Sequence, residues 1–543
     1  MNLRKIVIVI FLIFLSLRII TLLNADQFED HDSIQYLTMI RNIADGDFDS
    51  LFGYNPDKTF VFASLGALTL PITNSEVISA RLVSLLSSII LFFVIYFISL
   101  KLTNRKISLL VLLLYSIHPL LVGFSVGILT EPLYVTIIYS GVYIFLLFLE
   151  KPSIKYIFLL ALVFSLGFLN RTEGIIFIAL IPGFMFLLKI IKIKLNISWQ
   201  KTFIYSFLYV LLFSLFISPQ IYRVSSQLGK FALNGRQVWQ LILHKNDGRP
   251  YNAKIRGLDY SESEVNLIYL MKHPELRKEL KTQSSSIANY FSNVIVQLKI
   301  FFKERFFDLF GKFEVLILIL GIFFLFWKKR FFSILIIFLF LSMFFIPPLL
   351  HDVDIRHILI LIPFLIIVLA IGIYDSAEFL IEILHRLKFK VKKNLLISIL
   401  FLGVLFFVFP RLKSKIEKPA VNDEYNKNEI ITLANLINPD KTKDRKSNIV
   451  SIKTYLSYFV NGKFFPFPFT NYKKLIRYCE LNHIDYLLLD NRNMQQYEVL
   501  NIFSTKQNIK EFDLVYQSNI DQDNELRLYK FLGEKEMTVT NSE

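Results

Sequence analysis

The chain has 543 residues, 54% of them hydrophobic, with 55 Phe, one cysteine and a formal charge of +16. Its apolar residues fall in blocks of about 17–25, the length that spans hydrocarbon, which excludes an ordinary soluble fold. The lone Cys479 excludes an intrachain disulfide and a zinc–cysteine cluster, and the basic residues cluster in short gaps between apolar blocks, where topology rather than nucleic acid accounts for them.

The first block, 6–24, follows Arg4 and Lys5. A signal peptide opens the same way, but Arg18 stands where small residues should mark cleavage, so the block reads as an uncleaved span. A water-facing stretch, 26–76, comes next. It begins with Asp26, Glu29, Asp30, His31 and Asp32, and a helix is expected over 32–45, stopped by Asp45-Gly46. Carboxylates cost little in water and much in lipid, so the cluster marks topology and a candidate site together. Further spans are expected at 77–100, 107–125, 131–149, 156–170, 175–193 and 202–219. After a basic segment, 220–310, come spans at 313–328, 331–347, 357–374 and 395–410. That segment has a turn signal at Asn246-Asp247-Gly248 and helical patterns near 261–281 and 286–308. It holds Lys230, Arg236, Lys245, Arg249, Lys254 and Arg256, which either cover a site for anionic headgroups or line a solvated loop.

From about 411 the composition shifts to Lys, Asn, Asp and Tyr. Strands are expected at Ile449–Lys453, Tyr486–Asp490, Phe512–Tyr516 and Leu526–Phe531, with helices at 424–437, 471–482 and 494–504. The chain thus reads as an all-α polytopic membrane protein of about eleven spans (1–410) carrying a small α/β domain (411–543). With the N-terminus inside, the inner gaps collect the Lys and Arg, while the three short outer gaps carry only Arg171 and Arg356. That orientation puts 26–76, 220–310 and the C-terminal domain outside.

Several outer residues carry candidate chemistry. Asp32 and Tyr36 are four apart and share a helical face; the alternative is a solvated loop whose acids anchor a helix N-terminus. A metal held by Asp30, His31 and Asp32 would need adjacent residues to converge on one ion. Glu131 stands before Pro132 at an outer boundary, where an acid also suits the helix dipole. Arg171 lies beside Glu173; a surface pair of that kind is worth under ~1 kcal/mol. Arg356, within His351-Asp352-Val353-Asp354-Ile355-Arg356-His357, could fork onto a phosphate or snorkel at the interface. Two separated acids, Asp32 and Glu131, with Lys58, Arg171 and Arg356 on one outer surface suit proton abstraction beside a held phosphate. Tyr36, Asp57 and His351 are counted as further substrate-binding candidates.

These residues carry a resemblance. Asp32 before Tyr36, Ala44-Asp45-Gly46-Asp47-Phe48, Asp57-Lys58, Asn74-Ser75-Glu76, Ala80-Arg81-Leu82, His118-Pro119, Glu131-Pro132 and Leu169-Asn170-Arg171-Thr172-Glu173-Gly174 occur in order over 26–185. In this the chain resembles the GT-C superfamily of polyprenyl-phosphate-sugar-dependent glycosyltransferases. The branch is that of protein O-mannosyltransferases and the lipid A aminoarabinose transferase. The resemblance implies inverting transfer, with Asp32 as general base, Glu131 orienting the acceptor or a metal, and Lys58 and Arg356 neutralising the departing phosphate. Thr59-Phe60 depart from the family's two prolines, Ser33 replaces a frequent second acid and weakens any metal-binding version, and Glu131 replaces Asp.

The partners implied are a polyprenyl-phosphate-sugar donor, a protein, lipid or glycan acceptor, and membrane lipids, without nucleic acid; no cofactor is required, and a divalent metal stays an option. A transporter or flippase of lipid-linked saccharides is the alternative reading. It should show acids or Pro/Gly breaks in mid-span, and symmetry-related repeats, and the sequence reads as having neither. A non-catalytic scaffold would lack the first-loop acid, which is present as Asp32.

Overall fold

The computed structural model describes residues 3–25, 31–46, 59–192, 197–228, 231–233, 287–350, 354–417, 427–437, 447–452, 454–460, 462–468, 471–490, 498–505, 509–518 and 525–533. The turn at 246–248 and the helical pattern at 261–281 lie outside them.

Helix α1 (Leu3–Asn24) is followed by α2 (His31–Ala44), which stops where Gly46 takes a φ of 75°. Residues 61–73, expected in a water-facing loop, instead form α3 (Val61–Thr73), an apolar helix of 13 residues. It is too short to read as a span, and it buries Phe62, Ala63, Gly66 and Ala67. A Cβ on Gly66 would lie 2.5 Å from Ile40 Cδ1, so a larger residue there would have to push the Ile40 side chain aside. Asn74 then turns the chain at φ 51°, and the Ser75 side chain accepts from Ile78 N to start α4 (Glu76–Leu102).

The expected span at 107–125 is broken into α5 (Arg105–Ile117) and α6 (Pro119–Phe124). His118 is extended, as a residue before proline prefers, and Pro119 has no N–H to offer the Tyr115 carbonyl. Arg18 fills the gap from α1. Fully buried, it donates to Ser116 O at 2.9 Å, to Tyr115 O at 3.4 Å and to Ser88 Oγ at 3.0 Å, and lies 3.7 Å over the Phe14 ring. Each buried carbonyl left without a donor costs roughly 1–3 kcal/mol. Arg18→Leu is therefore expected to lower the thermal midpoint of the purified protein; a midpoint equal to that of wild type would refute this capping role.

The bundle continues with α7 (Glu131–Glu150), α8 (Ile154–Asn170), a 3-10 turn (Thr172–Ile176), α9 (Phe177–Ile190) and α10 (Trp199–Leu228). Helix α11 (Ile287–Ile300) passes through a π turn (Phe301–Arg305) into α12 (Phe306–Leu309), and the chain bends by 105° into α13 (Lys312–Trp327). Then come α14 (Phe331–Leu350), α15 (Ile355–Ile358), a 3-10 turn (Leu359–Leu361), α16 (Ile362–Arg386) and α17 (Lys393–Glu417). Among the described residues, seven helices are long and apolar enough to cross a membrane, or eight if the bent pair is one span. The other expected spans fall on shorter or broken helices: α8 with 17 residues, the apolar stretch Phe331–Ile346, and the α5–α6 pair. The protein is an integral membrane protein with a mostly helical, polytopic fold.

Beyond α17 lies a small α/β region: α18 (Lys427–Ile437), β1 (Asn448–Ser451), α19 (Thr454–Phe459), β2 (Lys463–Pro466), α20 (Tyr472–Leu481) and β3 (Tyr486–Asp490). A 3-10 turn (Glu498–Leu500), α21 (Asn501–Thr505), β4 (Phe512–Gln517) and β5 (Leu526–Phe531) complete it. The sheet order is β2-β1-β3-β5-β4, with β2, β1 and β3 parallel and β5 and β4 antiparallel. Period-two alternation splits its residues between two cores. Val450, Leu487, Leu489 and Tyr529 pack with Leu475 and Cys479 of α20 and Phe503 of α21. Ile449, Leu488, Leu526 and Leu528 join Leu433 of α18, and this second core continues into Ile34, Leu37 and Ile40 of α2.

Candidate active site

Glu131 is the first residue of α7, and Pro132 supplies the fixed φ of a first helical turn. An acid here faces unpaired backbone N–H groups, which favour negative charge. The side chain is nevertheless 6% exposed, so capping in water does not describe it. Its Oε1 is engaged by Arg171 Nη1, and Arg171 Nη2 reaches Glu173 Oε1 at 3.1 Å. The guanidinium also lies 5.8 Å from the Tyr134 ring centroid. Burial opposes the Arg171 charge, but Glu173, Glu131 and Tyr36 outweigh it and hold its pKa well above the usual arginine range.

The local fold makes this arrangement tight. Arg171 is extended after α8, its N–H donates to Gly167 O at 2.9 Å, and Gly174 N donates back to Arg171 O at 2.9 Å. A Cβ on Gly174 would lie 2.5 Å from Phe168 N, so glycine is required where the 3-10 turn folds against α8. Asn170 is fully buried and donates from Nδ2 to Thr130 O at 3.0 Å, which ties the end of α8 to the start of α7. The Thr59 hydroxyl donates to Asn170 O, which fastens the entry to α3 to the same point. The threonine that replaces the family's proline thus contributes a donor that proline lacks.

Helix α2 supplies the facing wall. Tyr36 is buried, meets Phe62 edge-on at 5.5 Å, and stands close enough to Arg171 to favour its charge. Asp32 lies in the first turn of α2, one turn and about 6 Å along the axis from Tyr36. The side chain of Asp32 lies outside the described groups, and Lys58, Asp57 and His351 lie outside the described residues. Arg356 sits on α15, where Asp354 accepts from its N–H at 3.1 Å and pairs with its side chain at 3.4 Å. Burial would raise the Asp354 carboxyl, but these Arg356 contacts hold it below the usual range. The segment carrying Arg356 is pinned to α7: Tyr139 donates to Ile360 O at 2.8 Å and accepts from Phe364 N at 3.2 Å.

The structure therefore joins Glu131, Arg171 and Tyr36, with Arg356 on a neighbouring element beside its own acid. The Arg171–Glu173 pair, expected at the surface, is buried and shared with a second acid from another helix. Tyr134 was not a sequence candidate, although its spacing of three from Glu131 puts both on one face. Asn170 was quoted only within its motif. Two acceptors, Glu131 Oε2 and Asn170 Oδ1, are buried without a hydrogen-bond partner among the described residues. No three His, Cys, Asp or Glu side chains converge as a metal site among the described residues. A cation between Glu131 and Glu173 would have to displace the guanidinium, so these residues do not fit a divalent metal.

Residues 57–222, which include Glu131, Tyr134, Asn170, Arg171 and Glu173 but neither Tyr36 nor Arg356, match the family model for dolichyl-phosphate-mannose-protein mannosyltransferase. The apo oligosaccharyltransferase of Archaeoglobus fulgidus superposes with a TM-score of 0.59 at 12% identity, covering 92% of this chain and 71% of that one. ArnT from Cupriavidus metallidurans, bound to undecaprenyl phosphate, gives 0.56 at 11% identity over 96% of this chain and 97% of that one. The fold is that of the GT-C glycosyltransferases. The archaeal enzyme AglB, in complex with an inhibitory peptide and a dolichol-phosphate, shares it at a TM-score of 0.59 and 11% identity, over 92% of this chain and 71% of that one. No curated protein sequence matches the chain. Family match and GT-C architecture together make the chain a glycosyltransferase, with its buried charge group in the family-matched part.

Proposed function

We propose that this GT-C glycosyltransferase transfers a sugar, with inversion, from a polyprenyl-phosphate donor to an acceptor hydroxyl on the extracytoplasmic face. The observation that carries the reading is the buried Glu131–Arg171–Glu173 group, walled by the helix that bears Asp32 and Tyr36. Asp32 takes the proton of the acceptor hydroxyl. The acceptor oxygen then bonds to the anomeric carbon as the carbon–oxygen bond to phosphate breaks, and that electron pair leaves with the prenyl phosphate. Such a leaving group needs charge neutralisation more than a strong acid, a role for Lys58 and Arg356. Base and cations on opposite sides of the anomeric carbon give inversion.

Glu131 has one oxygen committed to Arg171 and one without a partner among the described residues, so it can accept from the acceptor while held in place. The sequence places Arg171 among the phosphate ligands. In the fold its guanidinium already faces two carboxylates, which would repel a phosphate, and we assign it to holding Glu131 instead. Tyr36 completes the acceptor side, and Asp57 and His351 remain substrate-binding candidates. The Lys and Arg bias of the inner gaps supports a cytoplasmic N-terminus, eleven spans over 1–410 and an outer domain over 411–543. The bound undecaprenyl phosphate and dolichol-phosphate of the structural neighbours support a prenyl-phosphate donor.

Membranes containing the wild-type protein, given radiolabelled undecaprenyl- and dolichyl-phosphate sugars, test the reading. The expected result is a product whose glycosidic bond has the opposite anomeric configuration to the donor. A product of retained configuration would refute inversion, and movement of lipid-linked sugar between leaflets without transfer would replace the enzyme by a transporter.

A further inference from the structure

The outer α/β region does more than sit above the bundle. Its second core is continuous with the buried face of α2, so β1, β3, β5 and α18 share apolar cover with Ile34, Leu37 and Ile40. A polar contact marks the same junction. Arg41, near the end of α2, pairs through Nε with Glu76 Oε1 of α4 at 2.7 Å, and its guanidinium lies 5.8 Å from the Tyr458 ring of α19. Tyr458 is tied back to the sheet, because the neighbouring Ser457 hydroxyl meets Ser451 Oγ of β1 at 2.9 Å with both serines buried. Three separately built elements thus meet at one guanidinium. The Arg41–Glu76 pair is partly exposed, 37% and 21%, and would be weak alone. Its place at the end of a short helix is what gives it leverage. Arg41 lies about 14 Å along α2 from Asp32, too far for direct action but on the same rigid rod.

We propose that Arg41 and Tyr458 are positioning residues, through which the outer α/β domain sets the placement of α2 and hence of Asp32 and Tyr36 against the Glu131–Arg171 group. The chemical part rests on the transferase reading above; the mechanical part does not. Burial, with the Glu76 charge, pushes the Tyr458 hydroxyl up to about 12, so a neutral ring faces the guanidinium at any working pH. A neutral aromatic face beside a cation is a favourable contact that needs the ring and not the hydroxyl.

Full-length protein in detergent or membranes tests this with Arg41→Gln, Tyr458→Ala, Tyr458→Phe and the double variant Arg41→Gln/Tyr458→Ala. Hydrogen exchange is followed in 31–44 and in 131–190. Transfer is followed with radiolabelled undecaprenyl- and dolichyl-phosphate sugars. We expect Arg41→Gln and Tyr458→Ala each to speed exchange in 31–44 about tenfold while 131–190 stays as in wild type. Their kcat should fall roughly tenfold with KM for the donor within twofold, since misplacement of a base acts on the chemical step. The double variant should be no worse than either single one, and Tyr458→Phe should match wild type. Unchanged exchange in 31–44 would overturn the proposal whatever happens to transfer, and so would equal loosening of 131–190. If Tyr458→Ala does not accumulate, Arg41→Gln decides on the same criteria. A wild type that transfers nothing sinks the transferase reading alone, because the exchange comparison still decides whether the domain holds α2.

Discussion

Asp32→Asn will lower sugar transfer by ~10²-fold or more while the protein reaches the membrane at wild-type levels. The substitution keeps the size of the side chain and replaces the carboxylate with an amide too weakly basic to take the proton. It lies in the first turn of α2, ahead of the apolar face that packs on α3 and the C-terminal sheet, so folding should be little affected. The loss should fall on kcat, because a general base acts in the transition state and contributes little to donor binding. The comparison is of initial rates in membranes at matched protein amounts, with the donor the wild type uses. Full activity in Asp32→Asn would remove the base assignment and move attention to Asp30 or Asp57.

Arg171→Met should be the most damaging single change to stability at the end of the bundle that carries the site. It leaves Glu131 and Glu173 buried together with no cation between them, and breaking a buried pair in this way costs about 3–5 kcal/mol. The thermal midpoint of the purified protein should therefore fall well below that of wild type. Arg171→Met/Glu131→Gln should recover part of the loss, because one uncompensated charge is gone. Glu131→Gln alone leaves Arg171 paired with Glu173, so it should cost activity far more than stability. A deficit in Arg171→Met that Glu131→Gln does nothing to relieve would mean that lost packing against Tyr134, rather than unpaired charge, sets the cost.

The two halves of the site were legible to different degrees. Glu131 and Arg171 are forty residues apart, and only the basic bias of the inner gaps told that both lie at one membrane face. Their direct contact could not be read, because nothing in residue spacing says which helix ends meet. Motif order brought Asp32, Tyr36 and Glu131 forward together, and the fold sets Tyr36 beside the Arg171 that holds Glu131. Helix α3 went unseen because 13 residues cannot span, and an apolar run flanked by acids reads as part of a loop. Strand β2 was missed for a similar reason. Pro466 and Pro468 argue against a strand, yet β2 is an edge strand, where a missing N–H costs no ladder bond. Arg18 read as a residue that spoils a cleavage site; its role as donor to the α5 carbonyls depends on a break at Pro119 in a different helix.

The shared core of α2 and the C-terminal sheet also bears on how the protein is made. Helix α2 leaves the ribosome well before Leu526 and Leu528 of β5, which share its core. Until β5 has been delivered to the same side of the membrane, Ile34, Leu37 and Ile40 lack part of their apolar cover. The helix bearing the proposed base should thus reach its working position only after β5 has emerged, and chains truncated before β5 should insert normally yet stay inactive.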